Sequence, residues 1–148
     1  MKKLIFAFAA ALCFASCNDD IGPEYSTAAV FGEVTYSPEV VAPGQKVTVK
    51  APVTSKYGLA GVQIAYYLDD DTADVKTTSP WYYTKADKEV VYSGTLPEQK
   101  AGVKVTFQLV AVTPYSVASV SDIYNYTVSE EETPQEPETP GAQDEGGL

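Results

Sequence analysis

The chain has 148 residues, a net charge of −10 and ten lysines, but no arginine and no histidine. Nucleic-acid partners need a basic surface, and this composition argues against one. Arginine is the usual clamp for phosphate and carboxylate groups, and histidine is the usual proton carrier near neutral pH. We therefore expect no nucleic-acid partner, no catalytic residues, no metal and no cofactor. A carboxylate pair for glycoside hydrolysis stays open, although a domain this small seldom has room for the cleft.

The first 17 residues have the form of an export signal. Lys2 and Lys3 precede an apolar run over residues 4–14, and the small pair Ala15-Ser16 precedes Cys17. This order of charged, hydrophobic and cleavage regions is typical of a secretory signal peptide. The apolar run is too short to cross a bilayer as a helix of the mature protein.

The window from Phe14 to Cys17 resembles the lipobox of bacterial lipoproteins. The resemblance implies that Cys17 is lipidated, becomes the N-terminus of the mature protein and anchors it in a membrane. Cys13, the other cysteine of the chain, would leave with the signal. The alternative is an ordinary cleaved signal that leaves an unmodified Cys17.

Residues 18–28 are polar and are predicted to form a flexible acidic tether. Asp19 and Asp20 follow closely after Cys17. An acidic pair at this place resembles the export signal of surface-exposed lipoproteins in Bacteroidota-type bacteria. The resemblance implies an outer membrane lipoprotein that is exposed at the cell surface.

Residues 29–128 alternate apolar and polar side chains with a period of two, as half-buried strands do. Phe107 on the longest strand is expected to face the core, and its neighbour Gln108 to face solvent. Residues 42–45 read Ala-Pro-Gly-Gln, which is typical of a type II turn, and residues 81–89 are predicted to be irregular. About seven strands and no helical period predict an all-β, immunoglobulin-like antiparallel β-sandwich. The predicted strands cover residues 32–37, 46–52, 62–68, 75–78, 90–96, 103–113 and 121–128.

Short segments in a fixed order carry a family resemblance. They are residues 37–38 with 45–49, residues 57–59 with 62–67, and residues 92–97 with 102–107, 111–113 and 126–128. In this order and spacing they resemble the immunoglobulin-like and fibronectin-type-III-like domains of secreted bacterial proteins. The resemblance implies a non-enzymatic binding or accessory module for a glycan or an envelope protein partner. Such sandwiches also serve as structural spacers with no ligand of their own, and that is the alternative.

Trp81, Tyr82 and Tyr83 form a dense aromatic run outside the predicted strands. Aromatic rings at a loop can stack on sugars or dock a protein, because the ring is apolar while its edge remains wettable. Lys85 and Asp87 follow closely and could supply polar contacts. The run is therefore the candidate ligand-binding site. In the alternative, Trp81 covers an open end of the core, since tryptophan usually buries most of its surface.

Residues 69–74 hold four aspartates in one predicted loop. Clustered carboxylates can ligate calcium, but this run lacks the glycine and the bidentate glutamate of an EF-hand. A solvated loop without a metal is therefore expected. The triplet Asp71-Thr72-Ala73 resembles the O-glycosylation site of exported proteins in Bacteroidota-type bacteria, which implies a glycan on Thr72.

Residues 129–148 carry seven acidic residues, three prolines and no aromatic residue. Such a segment cannot bury enough apolar area to offset the entropy of ordering it. It is predicted to be a disordered acidic tail.

Overall fold

The computed structural model describes residues 25–130, which form an all-β structure with antiparallel pairing. It has ten strands, and each of the seven predicted strands has a counterpart among them, so the predicted all-β sandwich is confirmed. Within residues 25–130 no helix has the length and apolarity needed to cross a bilayer. The predicted signal segment with Cys17, residues 18–24 of the predicted tether and residues 131–148 of the predicted acidic tail lie outside the described residues. The strands are β1 Val30–Phe31, β2 Thr35–Ser37, β3 Val47–Thr54, β4 Gly61–Leu68, β5 Lys76–Thr77, β6 Trp81–Tyr82, β7 Glu89–Leu96, β8 Lys104–Val112, β9 Ala118–Val120 and β10 Tyr124–Thr127.

Two sheets face each other. In the first, β7 pairs with the whole of β3, while β2 and β1 pair one after the other along the opposite side of β3. In the second, β4 and β8 pair over eight residues at the centre. The short strands β5 and β6 flank β4, and β9 and β10 flank β8. The predicted strands at 75–78 and 121–128 thus correspond to β5 and β10, whereas β1, β6 and β9 fall where no strand was predicted. The prediction that residues 81–89 are irregular is wrong at Trp81–Tyr82, because these residues pair with β4.

The core follows from the alternation of side chains along the long strands. Every second residue of β3 is buried, and the intervening residues are exposed or half-buried. Phe107 on β8 is buried as predicted and contacts three tyrosine rings. The largest fully buried side chains include Tyr92, Phe107, Leu59, Ile64, Leu96 and Leu109.

The prediction that Gln108 faces solvent is wrong, because its side chain is only 5% exposed. It lies on the outer face of β8, a central strand with β4 on one side and β9 and β10 on the other. Gln63 and Thr106 on the same face are buried as well. The Gln108 side-chain amide donates a hydrogen bond to the Ser121 carbonyl oxygen at 3.3 Å. A period of two separates the faces of a strand, but it does not tell which faces meet water.

The two ends of the sandwich differ in their loops. The Tyr25 end comprises Tyr25 and loops 55–60, 83–88 and 113–117. The Gly44 end comprises loops 42–46, 69–75 and 97–103 and residues 128–130. At the Gly44 end the predicted type II turn is present, since Gly44 has φ of 73° and the Gln45 amide donates to the Ala42 carbonyl at 3.1 Å.

Candidate functional site

The strand β6 fixes the backbone of the candidate aromatic residues. Trp81 pairs with Val62 and Tyr82 pairs with Gly61. One residue further, the Tyr83 amide donates to the Ala60 carbonyl at 3.1 Å. Trp81 is nevertheless 62% exposed and Tyr82 69% exposed. Both rings therefore stand in solvent on a backbone held by the sheet, and Trp81 does not fill the end of the core.

The two exposed rings do not form one flat platform. Successive side chains on a strand point to opposite faces of the sheet. Trp81 shares a face with its partner Val62, which is buried, and Tyr82 lies on the outer face beside Gly61. A β-carbon added at Gly61 would lie 4.0 Å from the Tyr82 ring. Trp81 and Tyr82 therefore offer two separate contact surfaces, one on each side of the same sheet edge.

Tyr83 differs from its two neighbours in burial. It is half-buried and packs against the hydrophobic core. Burial raises the pKa of its phenol, with a further rise from the nearby Asp87 carboxylate. The structure therefore separates Tyr83 from the two exposed rings with which the sequence groups it.

The loop after β6 is held by its own side chains. Asp87 Oδ2 accepts hydrogen bonds from the Thr84 amide at 2.7 Å and from the Thr84 hydroxyl at 2.8 Å. The Asp87 amide donates back to the Thr84 carbonyl at 3.0 Å. Asp87 thus holds its own loop, and Lys85 stays exposed at its tip. Gly58 lies against this loop with φ of 85°, and a β-carbon there would come within 2.4 Å of the Lys85 carbonyl oxygen.

Sequence reasoning missed an aromatic cluster at the Tyr25 end. The rings of Tyr25 and Tyr115 stack with their centroids 4.3 Å apart, and Tyr57 meets Tyr25 edge-on at 5.2 Å. Lys56 lies over the Tyr57 ring and Lys85 over the Tyr115 ring, each with its Nζ 5.1 Å from the centroid. We call these five residues the tyrosine–lysine cluster. They come from four separate segments, so no local pattern in the sequence could group them.

The tyrosine–lysine cluster and β6 lie at the same end of the sandwich. Gly61, the partner of Tyr82, also pairs with Val112, the last residue of β8. Tyr115 lies in the loop that follows Val112 directly. The chain from Trp81 to Thr84 runs antiparallel to 59–62, and it leads toward the cluster.

The aspartates of loop 69–75 are partly neutralised by lysines. Asp74 pairs with Lys76, and Asp70 with Lys104 at 2.9 Å. These hydrogen-bonded carboxylates raise the pKa of both lysines. Within the part of the chain that the structure describes, no group of three or more His, Cys, Asp or Glu side chains could hold a metal. Thr72 is exposed in a turn, and its modification stays a prediction.

No protein-family model and no curated protein matches the chain. Among solved structures, it is similar to the sensor domain of the anti-sigma factor RsgI4 in Pseudobacteroides cellulosolvens. The solution structure of that domain gives a TM-score of 0.50 at 19% identity, covering 78% of this chain and 93% of that one. The CARDB domain of the PF1109 protein from Pyrococcus furiosus, solved with di-metal ions, gives 0.34 at 14% identity, covering 70% and 94%. The likeness to the sensor domain shows a shared fold alone.

Proposed function

We propose that this protein is a lipid-anchored, surface-exposed and non-enzymatic binding or accessory module, which takes a glycan or an envelope protein at the edge formed by β6. The exposure of Trp81 and Tyr82 on a hydrogen-bonded strand carries the proposal. Aromatic rings bury large areas on contact. A backbone already fixed in a sheet loses little further entropy when its side chains bind a partner.

The geometry of the rings constrains the kind of contact. Because Trp81 and Tyr82 project on opposite sides of β6, one flat sugar face cannot stack on both. A ligand that crosses the sheet edge could touch both, and an extended glycan chain or a protein loop has that form. The Lys85 ammonium group in the next loop is exposed and could supply a polar contact.

Anchoring rests on residues 1–17 and is tested by metabolic labelling with a fatty acid. Label should appear on the wild-type protein and be absent from Cys17→Ser. Equal labelling of both proteins would contradict lipidation at Cys17.

Binding is tested with Trp81→Ala and Tyr82→Ala on a broad glycan array and by crosslinking in intact envelopes. Val91→Ala serves as the control, because Val91 is also exposed, at 69%, but lies on β7 in the other sheet. We expect each aromatic variant to lose about tenfold or more in affinity, as central aromatic contacts do. The control should bind like the wild type, and all variants should keep their circular dichroism spectrum.

A structural spacer is the second candidate, and one observation favours it. Tyr25 and Glu130 lie at opposite ends of the sandwich, so the domain separates whatever is attached on either side. A blank glycan array and no aromatic-dependent crosslink would favour the spacer over the binding module.

A further inference from the structure

The point at which the chain enters the domain sets the orientation of an anchored protein. Tyr25 is stacked on Tyr115 and packs edge-on against Tyr57, so the entry point is fixed at the Tyr25 end. Seven residues separate it from Cys17. Fully extended, this segment reaches about 28 Å. A lipid on Cys17 therefore limits the distance of Tyr25 from the membrane to about 28 Å, whereas the Gly44 end can lie farther away by the length of the strands.

The Tyr25 end has the side chains that favour a membrane interface. Tyrosine and tryptophan concentrate at the boundary between hydrocarbon and water, where the ring and its polar edge meet both phases. Three half-buried tyrosines of the cluster lie here, and the exposed Trp81 and Tyr82 lie at the same end of the sandwich. A cation over an aromatic ring is attracted by the negative face of the ring. The ammonium groups of Lys56 and Lys85 lie over the Tyr57 and Tyr115 rings, so both positive charges are held at this end.

The charges of the two ends differ in sign. Residues 55–60, 83–89 and 113–117 carry three lysines against two carboxylates. At the opposite end, residues 42–46, 69–76, 97–104 and 128–130 carry four lysines against six carboxylates. An anionic surface therefore attracts the Tyr25 end more than the Gly44 end. The tether adds the carboxylates Asp19, Asp20 and Glu24, so the attraction has to come from the two cluster lysines together with the rings.

We infer that the tyrosine–lysine cluster is a membrane-contact surface, which docks the Tyr25 end of the domain on anionic lipid headgroups of the bilayer that holds Cys17. This inference rests on the anchoring part of the proposed function. It adds an orientation, in which the Gly44 end, including Glu130, lies on the side of the domain away from the membrane. It also places β6 at the side of the domain nearest the lipid.

The test uses the full chain, expressed with its signal and reconstituted in vesicles of phosphatidylethanolamine and phosphatidylglycerol. A fluorophore is attached to a single added cysteine, either Ala86→Cys at the Tyr25 end or Glu98→Cys at the Gly44 end, both exposed positions. Spin-labelled lipid headgroups then quench whichever probe lies near the bilayer. Quenching should be several-fold stronger at position 86 than at 98. Equal quenching, or stronger quenching at 98, would overturn the inference.

A charge-reversal pair separates headgroup contact from simple tethering. Lys56→Glu with Lys85→Glu should reduce quenching at position 86, since each lysine at an anionic surface contributes roughly a fivefold change in the bound population. The matched control reverses Lys46 and Lys100, two exposed lysines of the Gly44 end, and should leave quenching unchanged. If the two pairs behave alike, the cluster makes no headgroup contact and the inference fails. If the wild-type chain does not float with vesicles at all, the anchoring proposal fails with it, and flotation distinguishes the two results.

Discussion

Phe107 is the residue on which most aromatic contacts in the core converge. It is 2% exposed, stacks with Tyr124 at 5.6 Å and meets Tyr36 edge-on at 5.9 Å. Phe107→Ala should therefore lower the free energy of unfolding by ~3–5 kcal/mol, the usual effect of emptying a buried aromatic site. Denaturation in urea measures this change in free energy.

Gln108→Ala should lower the free energy of unfolding by about 1–2 kcal/mol, because the Ser121 carbonyl loses its hydrogen-bond donor. Asn125→Ala on the exposed side of β10 is the control, and a smaller loss for Phe107→Ala than for Asn125→Ala would refute the assignment of the core.

Tyr126 makes the stability of the folded domain depend on pH in the alkaline range. Burial raises the pKa of its phenol from 10.0 to about 12, with smaller contributions from Tyr36 and Tyr66. Because the folded pKa lies above the unfolded one, this stabilisation is complete below pH 10 and is lost as the pH rises from 10 toward 12. The loss amounts to up to about 3 kcal/mol.

The variant Tyr126→Phe isolates the contribution of the Tyr126 hydroxyl group to this loss of stability. Tyr126→Phe should lose less stability between pH 10 and pH 12 than the wild type does, measured by urea denaturation across the range. A partial loss should remain, since burial also raises the pKa of Tyr83 and Tyr92. Tyr82→Phe, at an exposed position, should follow the wild type. Identical alkaline curves for Tyr126→Phe and the wild type would show that Tyr126 does not control the transition.

At the scale of single elements, β7 depends on one glycine. The Tyr92 ring lies along the strand over Gly94, and a β-carbon at Gly94 would come within 2.1 Å of the Tyr92 hydroxyl oxygen. Gly94→Ala should therefore displace the buried ring and lower the free energy of unfolding by about 1–3 kcal/mol. Thermal unfolding is the measurement, with Ser93→Ala at the neighbouring exposed position as the control. No change in Gly94→Ala would mean that Tyr92 packs elsewhere.

The long strands have enough residues to show a period, whereas among the two- and three-residue strands β2 and β5 were predicted and β1, β6 and β9 were not. Alternation over eight or nine residues identified β3, β4 and β8. The strands β6 and β9 have two and three residues, too few for a pattern. They form because β4 and β8 offer free edges beside them, which is a property of the folded sheet. Gln108 was misplaced for the same reason, since its burial depends on the strands that flank β8.

The candidate site was likewise predicted only in part from the sequence. Adjacent aromatic residues at 81–83 are visible in the sequence, and two of them are exposed. The tyrosine–lysine cluster is assembled from Tyr25, loop 55–60, loop 83–88 and loop 113–117 by the topology of both sheets. Tyr57 and Tyr115 are 58 positions apart in the chain, yet their ring centroids lie 6.1 Å apart. The proximity of such distant residues can be recognised only once the fold is known.

For the whole molecule, the acidic C-terminal segment should contribute little to stability. Deleting residues 131–148 should leave the melting temperature within about two degrees, because Pro-rich acidic ends bury little apolar area. The last described backbone bond, from the Ser129 amide to the Val41 carbonyl at 2.8 Å, is kept in this truncation. Differential scanning calorimetry measures the change. A drop of many degrees would show that the tail packs on the domain.

The opposite positions of Tyr25 and Glu130 have a mechanical consequence. A pull between Tyr25 and Glu130 acts along the strands. The four residue pairs between β10 and β8, and those of β1 and β2 with β3, would then be sheared together instead of being opened one at a time. Resistance to such a load depends on the rate of unfolding under force. Resistance of the domain to a load applied between Tyr25 and Glu130 would therefore come from its first and last strands.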